Sequence, residues 1–317
     1  TEAARLSVSQ ARIEAVRSAS LKYWDWVGTG RKLEIVRDLL GIAVARDAAL
    51  AARVARGDIP AFERAENERV IYQRRAQVAA AERAVQNAAI ELSLFYRAAS
   101  GEPVVPPAGR LPESFPEPAP RAFDVQASER EALARRPELR RIDVLRDQTR
   151  VDRALANNQR KLGVDLVVAG AKDFGPGDPK ILKPELEVAV LVDVPILTRV
   201  QDGRVRAADA SYAKLSEQQR FARDLDVADV RDAAAAVDQA QERIAAARRE
   251  IATARQLVAA EMQRFELGEG TLLLVNLREQ ALAEAQQREV DALSDYQKAL
   301  ANQRAAVAAP PGGAPPP

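Results

Sequence analysis

The 317-residue chain contains no cysteine and no histidine. Without cysteine there are no disulfides and no thiolate metal sites. Without histidine the commonest general base and the commonest transition-metal ligand are gone, so catalysis would rest on carboxylates alone. No paired acids stand apart from the ordinary helix-face charges, and no enzyme activity, cofactor or metal is expected. Aromatic residues make up only 4% of the chain, too few for a thick globular core. No run of about 18 apolar residues exists, which excludes a transmembrane helix. Lys and Arg (47) nearly balance Asp and Glu (46) and are interleaved with them. A nucleic-acid partner would need a basic stripe, and there is none. The opening Thr1-Glu2-Ala3-Ala4-Arg5 does not read as a signal peptide.

What is abundant is Ala, Arg, Glu, Gln, Leu and Val, the composition of long helices packed through small side chains. The segment 1–98 reads as a helical hairpin. Its first arm is helical from about Glu2 to Ala55, with a break in winding expected at Gly28-Thr29-Gly30. That arm carries a stripe of Leu33, Val36, Leu40, Ala43, Leu50 and Val54, interrupted by Asp47. Its tip falls at 56–60, and Ile71, Val78, Val85 and Leu92 are spaced by sevens on the return. Residues 99–125, with seven prolines between Pro103 and Pro120, read as an extended connector. A single helix is expected over 126–163.

The period then changes. In 164–196 two strand-like runs flank Gly175-Pro176-Gly177-Asp178-Pro179. The second alternates cleanly, with Leu186, Val188, Val190, Val192 and Val194 on one face and Glu187, Ala189, Leu191 and Asp193 on the other. A β-hairpin is the expectation. Residues 197–309 form a second long helical hairpin. Val230, Val237, Ile244, Ile251, Val258 and Phe265 recur at intervals of seven, and Ala233, Ala240, Ala247 and Ala254 follow the first four by three residues. A bulky residue at one seam position and alanine at the other permits close helix approach in a left-handed supercoil. The arm from 204 to 266 would run roughly 93 Å at 1.5 Å per residue. The second tip falls at 267–271, the return helix at about 272–307, and the Pro/Gly tail 310–317 reads as disordered.

The two tips are 211 positions apart, at Gly57 and Gly268, each between long Ala/Arg-rich segments. Repetition of long helix, tight tip and long helix suits a tube or rod rather than an enzyme pocket. The glycines themselves can be explained as helix terminators. Tyr23, Trp24 and Trp26 are expected to pack between helix layers, with contact to a partner or stacking on a substrate as the alternatives. Gly28-Thr29-Gly30-Arg31 is a poor phosphate loop, since no strand precedes it.

Several of these segments resemble the TolC-like outer-membrane efflux protein family. Arg136-Pro137-Glu138-Leu139 resembles the start of that family's second repeat. Leu191-Val192-Asp193-Val194-Pro195-Ile196 followed by Asp202-Gly203 looks like its strand-to-linker exit. Phe265 to Leu272 with Val275 to Gln280 is similar to its second tip, and it is the order and spacing over roughly 300 residues that carry the likeness. The resemblance implies a mainly α fold of very long antiparallel coiled-coil hairpins forming an α-barrel, with a β-hairpin contributing to an outer-membrane β-barrel. It further implies a homotrimer in the bacterial outer membrane, in contact with outer-membrane lipid and extending into the periplasm. Such a protein is a passive export duct for a tripartite efflux or type I secretion system, working with a periplasmic membrane-fusion adaptor and an inner-membrane pump.

Against the family pattern the first repeat lacks its opening helix and hairpin, so the chain reads as N-terminally truncated or as a variant without a pore. By position the resemblance implies adaptor contact at Gly57, Asp58, Ile59, Pro60, Gly268, Glu269, Gly270, Thr271 and Leu272, with Ile59 and Leu272 as exposed apolar anchors. Family apertures close through polar links just above the tips, which implies Glu63 and Arg64 here. At the second tip Leu274 and Leu277 stand where the family carries acids, leaving Asn276, Arg278 and Glu279 as substitutes or as ordinary solvated charges. Glu187 and Asp193 are implied to face an aqueous lumen, though the same alternation suits any half-buried sheet. A non-channel coiled-coil scaffold, or a degenerate pore-less relative, is the alternative reading.

Overall fold

The computed structural model describes residues 2–119, 124–172, 174–175 and 184–309; the tail 310–317 and the loop residues 176–183 lie outside the described residues. In chain order the elements are α1 (Glu2–Ala55), α2 (Ala61–Ser93), a short 3-10 turn at Ala108–Arg110, α3 (Val125–Arg135), α4 (Pro137–Asn158), β1 (Gly163–Ala171), β2 (Glu185–Asp193), α5 (Arg199–Glu266) and α6 (Leu272–Ala306). The chain divides into two compact units. One holds 1–7 with 137–224, the other 8–136 with 225–317.

The larger unit is built on two helical hairpins. In the second, the heptad stripe does what its spacing dictates: Val230, Ala233, Val237, Ala240, Ile244, Ala247 and Ile251 are all buried. Ala240 is wholly excluded from solvent, and Val237, Ala240 and Ile244 pack against Ala292, Tyr296, Ala299 and Leu300 of α6. Ion pairs cross the same hairpin beside the seam, Arg243–Asp295 at 2.9 Å, Arg248–Glu289 at 2.9 Å and Arg288–Glu250 at 2.5 Å. These pairs are solvent-exposed, so they fix register more than they add stability.

In the first hairpin, Leu33 and Val36 of α1 meet Val85, Ala88, Ala89 and Leu92 of α2 in a core with Trp24, Trp26 and Val27. The proline-rich connector closes over it, with Phe115 stacked on Trp24 at a centroid distance of 5.8 Å and Leu111 packed beside it. The expected break at Gly28-Thr29-Gly30 is absent. α1 runs through it unbroken, and the glycines serve close approach instead. A Cβ at Gly30 would lie 2.6 Å from Leu111 Cδ1, and one at Gly28 would lie 3.4 Å from Ser294 Oγ.

The helix expected over 126–163 is two helices. Pro137 cannot donate a backbone hydrogen bond, and the residue before it is pushed out of the helical region; Arg136 has ψ 122°. Asp124 caps α3 by accepting from the Ala127 N–H at 2.9 Å. Freed from the helix, the Arg136 guanidinium pairs with Asp226 at 2.9 Å and Asp229 at 3.0 Å and donates to the Ala306 carbonyl at 2.7 Å.

In the smaller unit β1 and β2 pair antiparallel, from Gly163↔Asp193 to Ala171↔Glu185. This register places Val164, Leu166 and Val168 opposite Val192, Val190 and Val188 on one face. Each of the six is at least 56% exposed. Asp165, Val167 and Ala169 share the other face with Leu191, Ala189 and Glu187.

Candidate functional site: the paired tips and the clamp beside them

Each long helix ends in the same backbone device. At the first tip the N–H groups of Arg56, Gly57 and Asp58 donate to the carbonyls of Ala52, Val54 and Arg53. At the second, those of Leu267, Gly268 and Glu269 donate to Gln263, Phe265 and Arg264. Every donor and acceptor is displaced by the same 211 positions. The pattern is a Schellman motif, which needs a left-handed residue after the helix. Gly57 (φ 76°) and Gly268 (φ 79°) supply it, because glycine alone enters that region without a Cβ penalty. The following helices start after Pro60 and Thr271, both extended.

Side chains then bind one tip to the other. Leu50 of α1, Phe265 of α5 and Leu272 and Val275 of α6 form one buried cluster, against which Ile59 and Met262 pack. The Arg53 guanidinium lies 5.3 Å from the centre of the Phe265 ring, an attractive placement over the aromatic face. Asp58 is exposed and takes a 2.9 Å contact from Arg56, while Gly57, Pro60, Gly268, Glu269 and Thr271 are also exposed and Gly270 half-buried. The expectation for the two apolar anchors is corrected. Leu272 is fully buried and Ile59 partly so, because the two tips cover each other's apolar residues. The side chains left bare are Leu267 (66% exposed), Phe62 (67%), Leu273 (60%) and Leu277 (58%).

Beyond the tips sits a buried charge cluster. Glu279 of α6 receives Arg46 of α1 on one carboxylate oxygen and Arg74 of α2, at 2.9 Å, on the other. Arg74 also donates to the Leu39 carbonyl at 2.6 Å, and Arg46 to the Asn276 side-chain oxygen at 3.0 Å. Arg74 and Glu279 are both 3% exposed at the side chain. Burial pushes the Arg74 guanidinium below its ordinary pKa, a loss partly offset by the Glu279 carboxylate. Two guanidinium groups on one carboxylate, with a carbonyl taking a further donor, is the satisfied arrangement a buried charge requires.

Of the aperture candidates, Asn276 and Glu279 thus lie inside this cluster, where α6 meets α1 and α2. Arg64 reaches Asp47 at 3.4 Å and Glu68 at 3.3 Å; Glu63 and Arg278 are half-buried. Asp47, the one break in the α1 stripe, also accepts from Asn67, which donates to the Ala43 carbonyl at 3.1 Å. Sequence reasoning missed Arg46 and Arg74. Arg74 stands three residues past Ile71 on the core-facing side of α2, and a cation there signals a buried acid somewhere opposite. Glu187 and Asp193 are exposed, on the hairpin face that also carries Asp165.

No family model and no curated protein matches the chain. Solved structures do. A membrane protein from Pseudomonas aeruginosa superposes with a TM-score of 0.81 at 19% identity, covering 96% of this chain and 70% of that one. The outer membrane protein VceC of Vibrio cholerae gives 0.79 at 18%, covering 97% and 72%. The MtrE outer membrane channel of Neisseria gonorrhoeae, in its open state, gives 0.78 at 18%, covering 96% and 68%. At such identities the likeness is one of architecture. The chain has the fold of the TolC-like outer-membrane channels: long antiparallel helical hairpins with one β-hairpin.

Proposed function

We propose that the chain is an outer-membrane channel-tunnel protein, a passive export duct that performs no chemistry. The observation that carries this reading is the β-hairpin. Six Val and Leu side chains line one face, largely uncovered among the described residues, and each strand is nine residues long. Nine residues fall at the lower end of the roughly 9–11 residues of a membrane-spanning β-strand. A soluble scaffold has no use for that face, while a barrel wall buries it in lipid and turns Asp165, Glu187 and Asp193 to the lumen.

Two strands make no closed barrel, so the reading requires several copies, a homotrimer in the outer membrane with its helices in the periplasm. The two tips would dock to a periplasmic adaptor coupled to an inner-membrane pump. Leu267, Phe62, Leu273 and Leu277 are the apolar side chains free for that contact. The polar links of Arg64, Asn276 and Glu279 would hold the hairpins together near the aperture, with Glu63 and Arg278 beside them as further candidates. The mass of the detergent-solubilised protein, by light scattering corrected for bound detergent, tests the duct. A trimer that needs detergent is expected. A monodisperse monomer or dimer, soluble without detergent, would instead favour a pore-less scaffold.

A further inference from the structure

The helix-proximal end of the β-hairpin, where Gly163 pairs with Asp193, is ringed by cations. Over residues 159–163 and 193–206 there are five, Arg160, Lys161, Arg199, Arg204 and Arg206, against two carboxylates, Asp193 and Asp202. All five are exposed. The cluster is tied together: Arg160 pairs with Asp202 at 3.1 Å, Arg204 donates to the Gln159 side chain at 2.9 Å, and Arg206 reaches the Asp202 carbonyl at 3.4 Å. Asp202 is therefore engaged, and no ion pair among the described residues involves Lys161 or Arg199. Arg199 also sits in the first turn of α5, where the helix dipole disfavours a cation.

Interleaved with these charges are bare apolar side chains, Leu162 (56% exposed), Val194 (57%), Ile196 (88%), Leu197 (77%) and Val200 (62%). Leu162 and Val194 adjoin the ends of the strands, and Ile196, Leu197 and Val200 follow in the chain. Residues 161–172 and 184–206 contain no tryptophan or tyrosine, the side chains that usually anchor a barrel at the membrane–water boundary. Something else must fix the depth of the hairpin. Long cationic side chains beside exposed aliphatics can do so, with the stems in the acyl boundary and the charged heads among phosphates.

We propose that this collar is a docking surface for anionic phospholipid headgroups, with Lys161 and Arg199 as the principal phosphate contacts and Ile196 and Leu197 inserted beside them. The inference rests on the membrane-embedded reading of the β-hairpin and adds the class of lipid it selects.

The test is flotation of the purified chain with vesicles of phosphatidylcholine alone and with added phosphatidylglycerol, at low and high salt. Phosphatidylglycerol is expected to strengthen binding about tenfold at low salt, since each cation near an anionic surface contributes severalfold, and high salt should remove the gain by screening. The variant K161Q/R199Q should lose most of the gain while binding phosphatidylcholine as before, its helical signal unchanged by circular dichroism. A control with the same charge change further along α5, K214Q/R220Q, should keep it. No gain with phosphatidylglycerol, or equal loss in both variants, overturns the collar while leaving the channel reading intact. Failure of the unaltered chain to bind either vesicle overturns both.

Discussion

The helical hairpins and the β-hairpin treat the same aliphatic residues in opposite ways. Along α5 every Val and Ile of the stripe from Val230 to Ile251 is covered by the chain itself, with alanine opposite to bring the partner close. On β1 and β2 the Val and Leu side chains of one face are left largely bare among the described residues. The aliphatic residues have the same affinity for a dry environment in both places. What differs is who supplies that environment. The α5 seam finds it in the same chain, while the strand face finds none among the described residues, which on the channel reading proposed above leaves it to lipid.

This contrast can be broken from either side. The largest effect is expected in the helical body. Glu279→Ala would leave Arg46 and Arg74 buried without their acid and lower stability by about 3–5 kcal/mol in chemical denaturation. Val190→Arg, on the bare strand face, should leave the melting of the helices unchanged yet disfavour bilayer insertion by about 2–4 kcal/mol, read as loss of folding into lipid vesicles. Equal damage to both readouts would erase the distinction between the two regions. Ala240→Leu tests the narrow seam. Overpacking against Tyr296 and Ala292 should cost about 1–3 kcal/mol of thermal stability, whereas Ala189→Leu on the open strand pair should cost little.

At the tips, Gly268→Ala forces a Cβ into a left-handed conformation, for about 1–2 kcal/mol, and Gly57→Ala should match it. The smallest effect concerns pH. The Arg248 guanidinium holds the Glu117 carboxyl below its ordinary 4.5, and Arg17 does the same for Glu14. A lowered carboxyl stabilises above its unfolded value and loses that contribution as pH falls through the folded one. A modest fall in melting temperature is therefore expected below about pH 4.5, and Arg248→Gln should flatten part of it. Both carboxyls are exposed, so screening keeps the effect small.

The regular elements were legible because their signals are local and periodic. Sevens from Val230 to Phe265, twos from Leu186 to Val192 and glycine after a long helix each need no knowledge of the partner. What was illegible depends on residues far off in the chain. Gly30 looks like a helix breaker until Leu111 is seen against it. Leu272 looks like a surface anchor until Leu50 and Phe265 cover it. Glu279 looks like one more helix charge until Arg46 and Arg74, more than 200 residues earlier, close on it. The break at Pro137 was legible in principle, since proline's effect on its predecessor is local; it was hidden by helix-favouring sequence on both sides.

One consequence follows from the hydrogen bonds at the tips. Three of the last four carbonyls of α1, and three of the last four of α5, are already taken by the turn that follows, and Pro60 has no N–H to offer. A partner docking here, as proposed above, meets carbonyls already spent at the ends of α1 and α5. Discrimination there falls to side chains, Leu267 and Glu269 on one tip and Asp58 with Phe62 on the other. Two ends with the same main chain can therefore speak to different partners.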